Sequence, residues 1–567
     1  MILGRQRGRN GLVGFSNFDL EPNNYHYSTK DSAMVFTLHR YIFRELIKVF
    51  VPATVALVLI LSLGSILRPV QEYGAGPRQV IHLMGYFLPI TLTFVLPIAA
   101  LFAAALVYGR FASDNELDAC KASGISLLTL VYPGLALAIM VAIANLLLSF
   151  YVMPAFVRRA EKSLKADAKQ ILFRNIQRRG YYALPPDQRY RIYADAAYPQ
   201  NNLLSGVVVA ELKSYGIEKI TTAENAEVHF SPHEKFNEVQ ITAHNTYQMG
   251  SESEGGFSAE WLALTTEFGS LLGDDVKFKK IDEMKKIRVD PMRFYPIEKL
   301  AREVYAQFIT ELLAEDISGK IDNNTNNYYK LHSDQKLVEF TASRCSVRDE
   351  KKIELSGEVV ATESGQAPGH LWLALRSRKA LLHLEGDEFS PTLTLELLNA
   401  TWQRAGNLSG LTQRHIIHGL ILPQTVTEKF KTEDVLKSVG PTSTASALQK
   451  EPGPELKNLQ DKLHRKIRRT FGEIDAEIHS RLVFGIGCVS LVMIGIGLGI
   501  LKKGGHLLSA FGASSVPAAV LIVCIMMGKN IATNASSKAG SGIALMWAGL
   551  ALLTLLAIVI YHRLLKN

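Results

Sequence analysis

Gly109-Arg-Phe-Ala-Ser-Asp-Asn-Glu-Leu-Asp-Ala-Cys-Lys-Ala-Ser-Gly124 is the one compact charged island between two long apolar runs in the first third of the chain. Ser113, followed three residues later by Glu116, fits a capping box, in which each side chain satisfies a backbone N–H that the first helical turn leaves unpaired. Gly124 is placed to stop the helix. At 3.6 residues per turn, Asp114, Asp118 and Lys121 share one face, Leu117 and Cys120 another, while Ala119, Ala122 and Ser123 keep the rod thin. A thin helix of this kind between membrane spans is either a plug for a partner's socket or a solvated turn with a helical moment. The spacing alone leaves both readings open.

Outward from the island the pattern is one of long apolar runs. The chain has 567 residues, 48% hydrophobic and 20% charged with net charge +9, but the apolar residues gather at the two ends and the middle is polar. A helical crossing needs about 20 mostly apolar residues. Six uncharged stretches qualify: Val49 to Leu67, Leu83 to Tyr108, Ile125 to Val157, Leu482 to Leu501, Gly504 to Gly528 and Ala539 to Tyr561. The sequence therefore predicts an α-helical polytopic membrane protein with a 3+3 arrangement of spans around a large insert. The membrane parts fall at 34–157 and 481–567, and the insert at 158–480.

Lys and Arg near the span ends set the orientation. Arg40, Arg44 and Lys48 precede the first span, Arg110 and Lys121 lie between the second and third, Lys502 and Lys503 between the fourth and fifth, and Arg563 and Lys566 after the sixth. All fall on one side, which places both termini in the cytosol and the insert outside. Arg158, Arg159 and Lys162 run against this trend, but long exported domains count little in it.

Residues 1–33, rich in Asn, Gly and Arg, read as a disordered extension or as sequence upstream of a start at Met34, the second being favoured. From Val35 to Ile47, apolar Phe36, Ile42, Phe43, Leu46 and Ile47 alternate with charge, which predicts an amphipathic helix in the headgroup layer. Arg68, at the outer end of the first span, could pair bidentately with a phosphate or act as a snorkelling rim anchor. The insert opens with a basic helix-like run, Arg158 to Arg179, and then changes period. Short strand-like runs such as Tyr190-Arg-Ile-Tyr-Ala-Asp and Glu238-Val-Gln-Ile-Thr-Ala, separated by turn-rich links, predict a sandwich or jelly roll. A helix over about 296–318 divides two groups of strands, 425–454 reads as a Lys, Thr, Ser and Pro-rich linker, and a helix from Glu455 to Ser480 leads into the fourth span. The small-xxx-small pair Gly495 and Gly499 suits close helix approach.

Several chemistries are excluded or unsupported. There is no G-x-x-x-x-G-K-[ST] loop, so any ATP-driven work needs a separate nucleotide-binding partner. His415 and His418 lack supporting Cys or carboxylates in the sequence, so they do not define a metal site. No span carries a charge at mid-depth, against an ion-driven carrier. No catalytic constellation and no cofactor is implied, the four scattered cysteines imply no disulfide, and membrane orientation explains the basic balance without nucleic acid.

Two stretches resemble the LptF/LptG (YjgP/YjgQ) permease family: Met34-Val-Phe-Thr-Leu-His-Arg-Tyr-Ile-Phe-Arg-Glu-Leu, and the island itself. Ala476-Glu-Ile-His-Ser-Arg-Leu, Gly495-Ile-Gly-Leu-Gly-Ile before Lys502-Lys503, Trp547, and the strands from Arg191 to Phe230 add to the likeness. The resemblance implies a permease of the bacterial inner membrane that pairs with a second LptF/LptG-type permease, a paralogue or a copy of itself. It also implies docking of an LptB-like ATPase dimer and delivery of lipopolysaccharide to periplasmic LptC/LptA-like jelly-roll proteins, through a jelly-roll-like periplasmic domain of its own. On that template 110–124 is the coupling helix, with Arg110, Ser113, Asp114, Glu116, Leu117 and Gly124 the ATPase-coupling residues and Glu116 its characteristic acid. Arg68 lies where basic residues meet lipid phosphates. The chain departs from the family in an insert about twice the usual length and in Ala510-Phe-Gly-Ala-Ser-Ser where span five is usually tyrosine-rich. Two other readings are a mechanotransmitting permease that works a periplasmic partner, and a membrane scaffold or receptor without an ATPase.

Overall fold

The computed structural model describes residues 29–73, 77–166, 168–184, 190–213, 216–232, 236–250, 256–269, 274–322, 328–333, 336–348, 352–365, 373–385, 392–404, 408–428, 448, 451–501, 507–534 and 539–566. Most of the expected linker over 425–454 lies outside them, as do residues 1–28. Six helices are long and apolar enough to cross a membrane. They are α1 (Thr29–Tyr73), α2 (Pro77–Ser113), α4 (Leu127–Leu147) continuing into α5 (Met153–Ala166), α10 (Pro454–Leu501), α11 (Leu507–Thr533) and α12 (Ala539–Lys566). The short α3 (Glu116–Ala122) links α2 to α4.

One apolar core joins all six spans. α2 and α10 are its centre and run in close contact. The segment Val35 to Ile47 does not lie flat as expected. It is the first part of a single unbroken α1, and its apolar stripe points inward, with Ile42 and Leu46 buried and Leu38, Phe43 and Ile47 packed on the same core. Burying that stripe against protein satisfies the same apolar surface that the headgroup layer would have taken up. Between α4 and α5 the chain makes a π-helical turn, Leu148–Val152.

α6 (Ala168–Arg179) leads, through Gly180 in the left-handed region, into six strands: β1 (Tyr181–Ala183), β2 (Tyr190–Tyr198), β3 (Leu203–Lys213), β4 (Gly216–Pro232), β5 (Phe236–Gly250) and β6 (Phe257–Gly269). They pair in sequence order as an antiparallel meander. Period-two alternation puts Ile192, Val207, Ala226, Val228 and Ile241 on one face, where Ile171, Leu172, Phe173 and Ile176 of α6 pack with them.

After β6 come α7 (Ile281–Val289) and α8 (Tyr295–Asp322), then β7 (Tyr329–His332), β8 (Lys336–Thr341), β9 (Arg344–Arg348), β10 (Lys352–Gly365), β11 (Leu373–Glu385), β12 (Thr392–Arg404) and β13 (Leu408–Ile421). A one-turn α9 (Gln424–Thr427) follows. β10 pairs with β11 along one edge. On its other edge it pairs first with β9 and then with β8, switching partner at a bulge between Ser356 and Val359, where Gly357 has φ +95°. β11, β12, β13, β7 and β8 complete a ring back to β10. The second β unit is thus a closed six-stranded barrel with β9 as an outrigger, and α8 and the first half of α10 pack against it through Phe308, Leu312, Leu456 and Leu463.

The barrel closes weakly in one place. β13 and β7 share a single register pair, Ile421 with His332. Beyond it, Glu363 bridges the gap, accepting from His415 Nε2 at 2.6 Å and from Lys336 Nζ at 3.1 Å. Burial would raise the Glu363 carboxyl above its ordinary value, but the bonds from His415 and Lys336 outweigh it and hold the group below. A carboxylate with a lowered native pKa stabilises the fold above its ordinary titration range and loses that contribution as pH falls through the native value. Barrel stability is therefore expected to drop on acidification below the ordinary 4.5. Glu363→Gln should flatten that acid limb in thermal unfolding of the full chain recorded against pH.

Candidate functional site

The end of the bundle remote from the β units holds α3. α2 does not stop before Ser113, because Phe111 and Ala112 are held in the core and Asp114 N–H still donates to the Arg110 carbonyl at 2.9 Å. Ser113 is therefore the last residue of α2 and the Ser113/Glu116 capping box does not form. Asn115 makes the corner instead, at φ 56° with no side-chain cap bond. Asn tolerates the left-handed region better than other non-glycine residues. The expected rod over 110–124 is accordingly a two-turn helix, with Arg110 belonging to α2 and Asp114 to the exposed turn.

Gly124 ends α3 as expected, at φ +83°. Gly124 N–H donates to Lys121 O at 2.9 Å and Ile125 N–H to Cys120 O at 3.1 Å, the two bonds of a Schellman motif. Leu117 is buried and pins α3 to the bundle, Asp114 and Lys121 are exposed, and Glu116 and Asp118 are half-buried. Burial first, and then the charge of Glu116, push the Cys120 thiol up. Gly124→Ala is expected to cost about 1 kcal/mol, since alanine pays for a left-handed conformation, measured as a lower thermal midpoint of the solubilised protein.

Three helices frame α3. Arg110 Nη2 donates to Glu45 Oε2 of α1 at 3.0 Å, and Lys48 Nζ donates to the other oxygen of Glu45 at 2.6 Å. The Arg110 guanidinium also lies over the ring of Phe111, which stacks on Tyr41 of α1 at 5.8 Å. Tyr108 donates to the Leu130 carbonyl of α4 at 2.8 Å, and His39 Nε2 lies 2.9 Å from the Thr129 carbonyl. Sequence reasoning missed Glu45. Its signal was present, because it is the sole carboxylate between Val35 and Leu67. Immediately beneath α3, α2 and α10 touch backbone to backbone: a β-carbon on Gly499 would sit 2.6 Å from Ala105 O, and one on Gly495 would sit 2.7 Å from Leu101 O. Arg68 falls in α1, but its side chain lies outside the described residues.

At the opposite end, toward the β units, α10 carries a buried joint. Glu477 accepts from Arg481 Nε at 2.9 Å and from Lys529 Nζ of α11 at 2.7 Å. Arg481, its side chain 3% exposed, also donates to the carbonyls of Lys277 at 2.7 Å and Lys279 at 3.3 Å, and covers the ring of Phe150 in the π-helical turn at 5.5 Å. Nearby, Trp547 Nε1 donates to His479 Nδ1 at 3.3 Å. α7 is fastened to the same region by Arg158 with Glu283 at 2.6 Å and Arg288 with Asp475 at 2.5 Å. Among the described residues no group of His, Cys, Asp or Glu could hold a metal ion.

The fold and these two ends define a multi-pass membrane protein: two sets of three spans around a β-rich insert, with a short helix exposed at the bundle's far end. The sequence matches the family described as lipopolysaccharide export system permease LptF/LptG over residues 40–278 and 380–563, and the chain belongs to that family. It is a transporter component rather than an enzyme. No match was found among curated proteins. The unmatched residues 279–379 carry α7, α8, β7 to β10 and the first half of β11, so one side of the closed barrel lies outside the family match.

Proposed function

We propose that this chain is one permease half of an ABC transporter of the bacterial inner membrane, with both termini and α3 in the cytosol and the β units in the periplasm. An LptB-like ATPase dimer docks on α3, and a second LptF/LptG-type permease completes the membrane part. Closure driven by ATP extracts lipopolysaccharide and passes it to LptC/LptA-like periplasmic jelly-roll proteins. The observation that carries this reading is α3 itself: a two-turn helix pinned by Leu117, framed by α1, α2 and α4, and offering acidic side chains at the far end from the sheets. The clustering of Lys and Arg at that end supports the orientation. A driven step is needed because each CH₂ leaving hydrocarbon costs about 0.8 kcal/mol.

With no capping box to close, Glu116 is free for a charge role in docking the ATPase. Glu116→Gln is expected to lose the ATPase subunit in co-purification nearly as fully as Glu116→Ala. Retention by the Gln variant alone would show that the carboxylate charge is not what docks. For Arg68, phosphate contact predicts that Arg68→Glu abolishes photocrosslinking of lipopolysaccharide while the ATPase still assembles. A mechanotransmitting role is the second reading, favoured by α10, one helix shared by the membrane core and the barrel core. Lipopolysaccharide co-purifying with the complex would decide for transport.

A further inference from the structure

α1 is gripped at the end of the bundle that bears α3. There Ile42, Leu46 and Phe50 are buried, His39 Nε2 lies 2.9 Å from the Thr129 carbonyl of α4, and Tyr41 stacks on Phe111 of α2. Farther along, Val58 is buried, but Val51, Val55, Leu59, Ile60 and Leu63 are exposed. A helix held in this way turns a small change at the grip into a larger one at its far end. From Glu45 to Leu63 is about 27 Å at 1.5 Å per residue, so a tilt of about 5° moves Leu63 by about 2 Å.

Charge orients the grip. Apolar burial is non-directional, whereas the Glu45 carboxylate, 13% exposed, takes Arg110 of α2 on one oxygen at 3.0 Å and Lys48 on the other at 2.6 Å. Arg110 stands in the last turn of α2 and lies within reach of the charge of Glu116 across the corner. One guanidinium is thus bonded to a carboxylate of α1 and drawn, without a bond, toward a carboxylate of α3. We propose that Glu45 is a positioning residue: through Arg110 it ties the tilt of α1 to the corner between α2 and α3, so that a displacement of α3 is delivered to α1. The hold of Glu45 on α1 stands on these contacts alone, and its use in transport rests on the ATPase docking proposed above.

The test is a distance measured by pulsed electron paramagnetic resonance on the full chain in nanodiscs. Nitroxide labels go on Leu63 of α1 and Leu147 of α4, both exposed, with the four native cysteines replaced by alanine. Glu45→Gln leaves Arg110 and Lys48 facing a neutral amide, and should shift the mean distance, or widen its distribution, by about 2 Å. Arg110→Gln should do the same and the double variant no more, the mark of one shared interaction. Arg110→Lys should keep most of the wild-type distance, and Arg44→Gln, which removes the charge of an exposed neighbour, all of it. With the ATPase added, the distance should move in wild type and stay in Glu45→Gln, although both bind. A wild-type distance in Glu45→Gln, additive shifts in the double variant, or equal responses to the ATPase would each overturn the proposal. A wild type that binds no ATPase would sink the docking reading, while the first comparison still decides on Glu45.

Discussion

Glu477→Gln is expected to destabilise the detergent-solubilised protein by about 3–5 kcal/mol, the usual result of removing one partner from a buried ionic network. Among the described residues this carboxylate is the only counter-ion of Arg481, whose side chain is 3% exposed, and it also holds Lys529. Glutamine leaves two cations facing one neutral amide. Arg481→Met should cost less, about 3 kcal/mol, because Lys529 still neutralises Glu477, while the carbonyls of Lys277 and Lys279 lose their donors. The double replacement Arg481→Met with Glu477→Met should recover much of the loss, since Lys529 is 38% exposed and can turn to water. Thermal unfolding of wild type, Glu477→Met, Arg481→Met and the double variant forms a double-mutant cycle. Additive losses would mean that the two side chains act separately and that the joint is not a network.

The joint also shows what one-dimensional patterns can and cannot carry. Apolar runs located all six crossing helices, because span length is fixed by bilayer thickness and is written in composition. The Gly495 and Gly499 pair was legible for the same kind of reason, small residues at helical spacing. The start of α3 was not. Ser113-x-x-Glu116 has the local chemistry of a cap, but Phe111 and Ala112 have tertiary partners that carry α2 past it, and Asn115 then takes the left-handed corner. Tertiary burial outweighs a capping bond of about 1 kcal/mol. The Glu45–Arg110 pair spans 65 positions, and nothing local ties the two. Strands in the insert were visible through their alternation, whereas the closure of β10 to β13 with β7 and β8 depends on register and on the partner switch at Gly357, which alternation does not encode. Glu477 and Arg481 were visible as part of a family-like stretch, but their joint exists only because α11 and the turn before α7 arrive from elsewhere in the chain.

On the proposed function, Gly499→Val is expected to leave the protein folded but to uncouple ATP hydrolysis by the partner from lipid extraction. A side chain on Gly499 would meet Ala105 O at 2.6 Å and Gly109 N at 3.0 Å. Both are backbone atoms, so no rotamer change relieves the contact and α2 must move away from α10. Overpacking of this kind costs about 1–3 kcal/mol, within what the large shared core of six spans can absorb. Its consequence is geometric. The contact lies on α2 directly before α3, and α10 runs unbroken for 48 residues from there to the barrel, about 72 Å at 1.5 Å per residue. Widening the crossing changes how a push on α3 is delivered to that helix. Gly499→Ala should show a milder form of the same effect. Gly64→Val, placed where a β-carbon meets nothing within 4 Å, should behave as wild type. The check is a paired measurement in proteoliposomes reconstituted with the ATPase: hydrolysis retained and lipopolysaccharide release lost in Gly499→Val. Hydrolysis and release falling together would place the defect in ATPase docking, and unchanged release would show that the α2 and α10 crossing transmits nothing.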